Sequence, residues 1–356
     1  MIPEVEDLDA TSVETLLRGR HPGVEVHEVA VIDVAELTNT HVRLQVDYAS
    51  PAGAPEHLFV KLPPREPERR RHIAATGMGP KEVRFYDELA SRTPLRTPEL
   101  HGAALDEESG DFVLVLEDLV ASDCTIPDGT RGVTPDAAAR ALEELARFHA
   151  HHLDPRVRAV EAAWVAPAGP GSDYAIGMLR HGIEHHRDRL DDTFVAVAEL
   201  YCAHRLEMQA LWHPQPWTVV HGDPHLGNVF DDHGRIGFLD WGIVMRSTSL
   251  RDVSYFLTMA MDPEDRRRHE ETLLRLYLAA FAAEGGPETS FDEAWSAHRL
   301  QAAYTVPASC QVVTFPDDAT PRRRSFAEAF LARATAAVDD LDALGALHAA
   351  GLGSRR

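Results

Sequence analysis

A chain of 356 residues is long for one hydrophobic core, so its length favours two domains. Its 44% hydrophobic and 26% charged residues are typical of a globular protein. The formal net charge of −22 argues against a nucleic-acid partner, whose backbone is also negative, and it allows the protein to attract cationic ligands.

The chain carries no signal for a membrane or for an oxidising compartment. No stretch reaches the apolar length of a membrane span, and the acidic residues 1–9 do not resemble a signal peptide. The three cysteines, Cys124, Cys202 and Cys310, are too scattered for a disulfide framework or a metal-binding cluster. We therefore expect a cytoplasmic protein with no membrane partner, and the sequence leaves open whether it is a monomer or a homodimer.

The first third of the chain combines short strands with one main helix. A short helix is expected near residues 11–18 and a longer one at residues 80–91, where an acid and apolar groups recur at helical spacing. Between the strands and the longer helix, the Arg- and Glu-rich residues 63–79 predict a mobile connection. Apolar runs predict strands at residues 24–34, 41–48, 58–62 and 111–119.

One lysine on the third predicted strand stands out. All but two of the 35 basic residues are arginines, and the exceptions are Lys61 and Lys81. A compact ammonium on a flexible stem can reach nucleotide phosphates where a planar guanidinium does not fit. Lys61 therefore suggests a specific role, and the alternative is an edge-strand lysine that extends to water.

The rest of the chain is predicted to be mainly helical. Alanine- and leucine-rich segments predict helices at residues 134–152, 174–211 and 265–283, with further helix after Ser290 and from Ser325 onward. Histidines 149, 151 and 152 end the first of these helices, where the last carbonyls favour positive charge, and they are expected to be capping or solvated residues.

In the helical part, two apolar runs are each followed by a carboxylate in a predicted loop. The first run leads to His221-Gly222-Asp223, with Asn228 five positions later, and the second leads to Asp240. Phosphoryl transfer needs a carboxylate that orients the attacking hydroxyl, together with an amide oxygen and a carboxylate that hold magnesium on the phosphates. Asp223, Asn228 and Asp240 have the types and the order for these three roles.

These motifs resemble the aminoglycoside phosphotransferase superfamily within the protein-kinase-like fold. They are most similar to the motifs of its ecdysteroid-kinase-like and choline-kinase-like branches. The resemblance covers roughly residues 25–310 in family order. It is carried by residues 59–61, 82–86, 115–119, 221–228, 239–241 and 251–253.

The resemblance implies a bilobal α+β architecture. A small N-terminal lobe, residues 1–119, would hold an antiparallel β-sheet with one main helix and end in a hinge at residues 115–119. A large, mainly α-helical C-terminal lobe, residues 120–350, would carry the catalytic loop at 219–242 and the acceptor-binding helices.

The resemblance also implies a role for single residues on the nucleotide side. Lys61 would contact the phosphates of ATP and be held by Glu82. Hinge residues, including Glu117 and Leu119, would meet the adenine. The turn that covers the phosphates lacks glycine, so its small polar residues Thr38 and Asn39 would present amide groups. This departure leaves the choice between ATP and GTP open.

On the acceptor side, Asp223 would act on the acceptor hydroxyl, while Asn228 and Asp240 would bind Mg²⁺. The acceptor is expected to be a small molecule with a hydroxyl group, which can be cationic. We expect an antibiotic-like or secondary-metabolite scaffold; the alternatives are an amino-alcohol, steroid-like or sugar substrate of metabolism, or a nucleotide-binding module without turnover. Candidates for the acceptor wall are Trp164, Tyr174, Met178, Tyr304 and Gln311.

Overall fold

The computed structural model describes residues 2–317 and 319–353. Within this part the chain forms two compact units. The first contains the residues up to Ile126 together with Phe230–Val244, and the second contains Pro127–Val229 together with the residues from Met245 onward. The chain therefore returns to the first unit for one short segment, which includes Asp240.

A five-stranded antiparallel sheet forms the centre of the first unit. Its strands are β1 (Glu25–Glu36), β2 (Thr40–Ser50), β3 (His57–Leu62), β4 (Leu100–Leu105) and β5 (Phe112–Glu117). They lie in the order β1-β2-β3-β5-β4, so β3 is an interior strand between β2 and β5. Lys61 of β3 pairs with His41 of β2 and with Leu114 of β5. The edge-strand alternative for Lys61 is therefore wrong.

Alternation along the strands produces one apolar face. Val42, Leu44 and Val46 of β2 are buried, and they share a core cluster with Leu58 and Val60 of β3. Successive side chains of a strand point to opposite faces, so this period of two places one set of residues in the core. Helix α1 (Ala10–Leu17) packs into the same cluster.

The predicted mobile connection at residues 63–79 is wrong, because most of it is helical. Helix α2 spans Pro67–Thr76, begins with a proline in its first turn and is capped by the Glu66 side chain. It ends at Gly77, whose φ of 67° is a left-handed conformation that glycine adopts without strain. The helix buries none of its residues, so no apolar periodicity marks it in the sequence.

The predicted helix at 80–91 begins two residues earlier than expected. Helix α3 spans Met78–Arg84 and continues through a π-helical turn, Phe85–Leu89, into a short 3₁₀ turn. Glu82 and Val83 of α3 are buried, as are the three apolar residues of the π turn. The returning segment of the first unit adds most of β7 (Val229–Asp232) and β8 (Arg235–Phe238), which pair with each other.

The second unit is mainly helical. Its helices are α4 (Pro135–His151), α5 (Pro155–Glu161), α6 (Asp173–His185), α7 (Asp192–Trp212), α8 (Leu250–Ala260), α9 (Pro263–Ala283), α10 (Phe291–Ala302), α11 (Thr305–Ala308), α12 (Pro321–Asp340) and α13 (Ala343–Ala349). The single helix expected at 174–211 is two helices, because the chain leaves helical conformation after His185 and Asp191 caps the start of α7.

A small strand pair in the second unit positions the first predicted motif. Strand β6 (Thr218–Val220) is fully buried and pairs with β9 (Met245–Ser247). The loop that carries His221 and Asp223 starts at the end of β6, and α8 follows β9 closely in the chain. Within the described residues, no helix combines the length and the apolar character that a membrane crossing requires.

Candidate active site

In the first unit, a buried ion pair joins the sheet to α3. Lys61 and Glu82 are 3% and 2% exposed, and the Lys61 Nζ donates to Glu82 Oε2 at 2.6 Å. The predicted pairing of these two residues is present. Two charges that both leave water are tolerated only when they are well paired, so each residue fixes the side chain of the other.

A third charge completes this cluster. Asp240 Oδ1 lies 3.2 Å from Lys61 Nζ, and the Asp240 side chain remains 34% exposed. Burial disfavours the charged form of Lys61, but Asp240 and Glu82 outweigh it and raise the pKa of the lysine. Burial also raises the pKa of Glu82, against the opposing effect of Lys61. One ammonium therefore lies between a buried carboxylate and a partly exposed one.

The backbone at Asp240 is strained, and the packing of Trp241 holds it in place. Asp240 has a φ of 63°, which only a few non-glycine residues adopt. Trp241 is fully buried and stacks on Phe85, with ring centroids 3.8 Å apart and planes within 5°. Packing of this kind can hold a strained residue in place, and strained residues are enriched at functional sites.

Four further residues of the first unit were predicted to contact the nucleotide. The Glu117 carboxylate accepts hydrogen bonds from Arg96 at 2.8 and 2.9 Å, and Leu119 is buried beside Cys124 and Phe230. In the turn between β1 and β2, Thr38 is exposed and Asn39 is buried. Their proposed contacts with a nucleotide stay predictions.

In the second unit, Asp252 of α8 holds the loop after β6. Its carboxylate accepts the backbone N–H of His221 at 2.6 Å and that of Gly222 at 2.8 Å. Arg251 donates to the Gly222 carbonyl at 3.0 Å, and both side chains are fully buried. The position of Asp223 is therefore set by two consecutive charged residues at the start of α8.

A histidine from α4 completes this support. His149 Nε2 lies 3.3 Å from Asp252 Oδ2, and its Nδ1 lies 2.9 Å from the Tyr277 hydroxyl. Burial alone would raise the pKa of Asp252, but hydrogen bonding from His149 and the backbone N–H groups lowers it. His149 is completely buried, so its interpretation as a capping or solvated residue is wrong.

Asp223 and Asn228 lie together within the loop. The Asn228 Nδ2 donates to the Asp223 carbonyl at 2.9 Å and approaches the Asp223 carboxylate at 3.4 Å. The Asp223 N–H donates to His221 Nδ1 at 3.2 Å. The Asp223 side chain is 26% exposed, so a small molecule can reach its carboxylate.

The sequence matches a known protein family. The family model described as "Phosphotransferase enzyme family" matches residues 45–299, well over half of the chain. The chain belongs to this family. Among curated proteins, none matches the sequence.

Solved structures share the fold of this phosphotransferase at low sequence identity. A provisionally named aminoglycoside phosphotransferase from Ralstonia eutropha JMP134 matches with a TM-score of 0.55 and 15% identity, over 94% of this chain and 98% of the other. The GDP complex of wild-type aminoglycoside 2'-phosphotransferase-IIIa matches at 0.52 and 14%, over 93% and 99%. The GDP and kanamycin complex of APH(2")-IIIa matches at 0.51 and 13%, over 94% and 99%. The predicted kinase-like α+β fold and superfamily are confirmed.

The phosphotransferase contains supporting residues that the sequence did not reveal. Tyr255 of α8 is buried, and its hydroxyl is hydrogen-bonded to Asp223. Burial and the nearby Asp223 carboxylate raise the pKa of Tyr255, so it stays a neutral donor. A tyrosine within an apolar helix face looks like ordinary core in the sequence. Its only available signal is its position, three residues after Asp252.

The residues predicted for the acceptor wall in the second unit have different surroundings. Tyr304 packs its ring on the Arg251 guanidinium, which lies 3.4 Å from the ring centroid. The charge of the Asp223 carboxylate adds to the effect of burial in raising the pKa of Tyr304. Tyr174, by contrast, is 39% exposed on α6. A cavity of about 310 Å³ opens between α6 and α7. It is lined by Arg180, Ile183, Glu184, Glu199, Cys202 and Ala203.

Proposed function

We propose that this protein is an ATP-dependent O-phosphotransferase, which transfers the γ-phosphate to a hydroxyl group of a small molecule. The observation that carries the proposal is the buried Lys61, whose ammonium contacts both Glu82 and the partly exposed Asp240. A buried amine held by one carboxylate suits nucleotide phosphates, and a second, accessible carboxylate suits the metal that accompanies them.

We propose Asn228 and Asp240 as magnesium ligands from the chemistry of their side chains. Asp240 offers a partly exposed carboxylate, and Asn228 uses its amide nitrogen on Asp223, which leaves the amide oxygen as its ligand atom. Carboxylate and amide oxygens are the donors that Mg²⁺ prefers. When bound with the nucleotide, Mg²⁺ would neutralise charge on the phosphates. Nucleotide choice between ATP and GTP stays open in this proposal.

Asp223 would orient the acceptor hydroxyl. As the bond from the γ-phosphorus to the β–γ bridging oxygen breaks, a new bond forms from the phosphorus to the acceptor oxygen. The hydroxyl proton passes late to the Asp223 carboxylate, because a loose transition state needs orientation more than early deprotonation. The products are a nucleoside diphosphate and a phosphate monoester.

For the acceptor, we propose an antibiotic-like or secondary-metabolite scaffold of the aminoglycoside, sugar or nucleoside type, in resistance or self-protection. The similar solved structures include two that are named aminoglycoside phosphotransferases and one complex with kanamycin, and the net charge of −22 would favour a cationic molecule. The alternative is a metabolic kinase for amino-alcohol, steroid-like or sugar substrates. A nucleotide-binding module without turnover is disfavoured, because it has no use for a carboxylate that Tyr255 and Asn228 hold in place.

The test is release of ADP with Mg²⁺, ATP and a library of antibiotic and metabolite acceptors. We expect acceptor-dependent release, and we expect Asp223→Asn to reduce it by about 10²–10⁴-fold because the hydroxyl loses its orienting base. Glu271→Gln, which changes an exposed acid of α9, is the matched control and should keep full activity.

Binding and turnover separate the alternatives. The Asp223→Asn variant should still be stabilised by ATP and Mg²⁺ in thermal unfolding, since its change lies on the acceptor side. Full ADP release by this variant would disprove the role of Asp223. Stabilisation by nucleotide without a phosphorylated product from any acceptor would instead support the module without turnover.

A further inference from the structure

The junction between α4 and α5, within the second unit, brings together three side chains that the phosphotransfer proposal does not use. One ligand atom from each of His151, His152 and Glu161 lies within 4.8 Å of the other two. His151 is the last residue of α4, His152 follows it, and Glu161 is the last residue of α5. His152 is completely buried, whereas His151 and Glu161 are 37% and 22% exposed.

His152 directs an unpartnered nitrogen into this cluster. Its Nδ1 lies 3.1 Å from the Phe148 carbonyl, which can only accept, so Nδ1 carries the proton. Its Nε2 has no hydrogen-bond partner and is buried. In a neutral imidazole whose proton is on Nδ1, Nε2 carries the lone pair.

The atom that faces this lone pair is another acceptor. Glu161 Oε2 lies 3.7 Å from His152 Nε2 and 2.8 Å from His151 Nε2. A lone pair opposite a carboxylate oxygen is satisfied by a cation between them. A histidine that donates one ring N–H to a backbone carbonyl and offers its other nitrogen is the usual arrangement of a metal ligand.

The spacing also suits a transition-metal ion. Two ligands of a tetrahedral zinc ion, each at about 2.0–2.1 Å, lie about 3.3 Å apart. The distances of 2.8 and 3.7 Å from Glu161 Oε2 to the two histidines lie on either side of this value. Two imidazoles and one carboxylate favour Zn²⁺ and its neighbours over Mg²⁺, which prefers oxygen ligands.

We propose that His151, His152 and Glu161 form a binding site for a divalent transition metal of the zinc type. Three protein ligands leave the fourth position for water. The ion would tie the end of α4 to the end of α5 and so fix the helix that supplies His149 to Asp252. The site does not depend on the proposed phosphotransfer, and its test needs neither nucleotide nor acceptor.

The experiment titrates the full-length, metal-stripped protein with Zn²⁺ by calorimetry and with Co²⁺ by visible absorption. We expect one equivalent of either ion, the absorption of a tetrahedral cobalt site, and a higher unfolding temperature with Zn²⁺. His151→Gln and Glu161→Gln should each weaken binding at least about tenfold. Both residues are partly exposed, so the metal-free variants should unfold close to the wild-type temperature.

His185→Gln is the matched control, because His185 is an exposed histidine beside another glutamate, with 3.9 Å between His185 Nε2 and Glu184 Oε2. It should bind Zn²⁺ like the wild-type protein. Absence of stoichiometric binding, wild-type affinity in either ligand variant, or an equal loss in His185→Gln would each overturn the proposal.

Discussion

Lys61 has neighbours that constrain the shape of its side chain as well as its charge. Its ammonium is buried and lies 2.6 Å from Glu82 and 3.2 Å from Asp240. A guanidinium is longer, planar and bidentate, so it cannot occupy the same point between the two carboxylates. The geometry therefore explains a lysine in a chain that otherwise uses arginine almost throughout.

We predict that Lys61→Arg retains the charge but loses catalysis. Displacement of the cation by about 1 Å from the position that we propose beside the nucleotide phosphates should lower turnover by about 10²-fold. ADP release measures the loss, and thermal unfolding shows whether the variant is folded. Lys81→Arg, at the half-buried lysine next to Glu82 in α3, is the control and should retain wild-type turnover. Equal rates in the two variants would show that Lys61 acts only as a positive charge.

Sequence patterns indicated the members of the charged cluster better than the residues that support the neighbouring loop. Lys61, Glu82 and Asp240 lie within one cluster, and each occurs in a recognisable motif. The supporting role of His149 was not predicted, because the residue lies at the end of a helix beside two other histidines. This sequence context is typical of a capping or solvated residue. Its burial and its contact with Asp252 come from packing among α4, α8 and α9, which local sequence does not encode.

At the scale of elements, the start of α8 secures the loop that follows β6. Asp252 accepts two consecutive backbone N–H groups while His149 approaches the same carboxylate from α4. A carboxylate can accept from all three donors, whereas an amide at this position presents one acceptor and one donor. The amide nitrogen of an asparagine would therefore place its own N–H against a backbone N–H.

We predict that Asp252→Asn lowers the free energy of unfolding by about 3 kcal/mol, because it leaves a buried donor without an acceptor and removes the charge beside His149. Urea unfolding measures this difference. Asp292→Asn, an exposed acid in the first turn of α10, serves as the matched control and should cost only a few tenths of a kcal/mol. A similar small loss in Asp252→Asn would contradict the supporting role.

The elements themselves were predictable where they bury a regular apolar face. Helix α4, expected at 134–152, spans Pro135–His151, and its buried residues recur at helical spacing. Helix α2 and the short α5 bury none of their residues, so only their capping residues indicate them. The central strands β2, β3 and β5 were expected, but β4, which is short and contains Gly102, was missed.

For the molecule as a whole, several partly or fully buried histidines are neutral. Burial lowers the pKa of His41, His152 and His213 to about 4 in the folded protein; Lys61 adds to this effect at His41 and Arg251 at His213. In the unfolded chain a histidine takes up its proton near pH 6.5. Between these values the unfolded state binds more protons than the folded state, so acidification favours unfolding.

We therefore predict that the free energy of unfolding is highest above about pH 6.5 and falls as the pH decreases toward about 4. Each such histidine contributes a slope of at most about 1.4 kcal/mol per pH unit. Urea unfolding at several pH values measures the slope. His213→Gln removes one of these titrating groups and should therefore reduce the slope by up to about 1.4 kcal/mol per pH unit. The His213 ring is largely buried and hydrogen-bonds Ser247 and Gln209. His185→Gln, at an exposed histidine, should leave the slope unchanged, and an unchanged slope in His213→Gln would show that the acid sensitivity arises elsewhere.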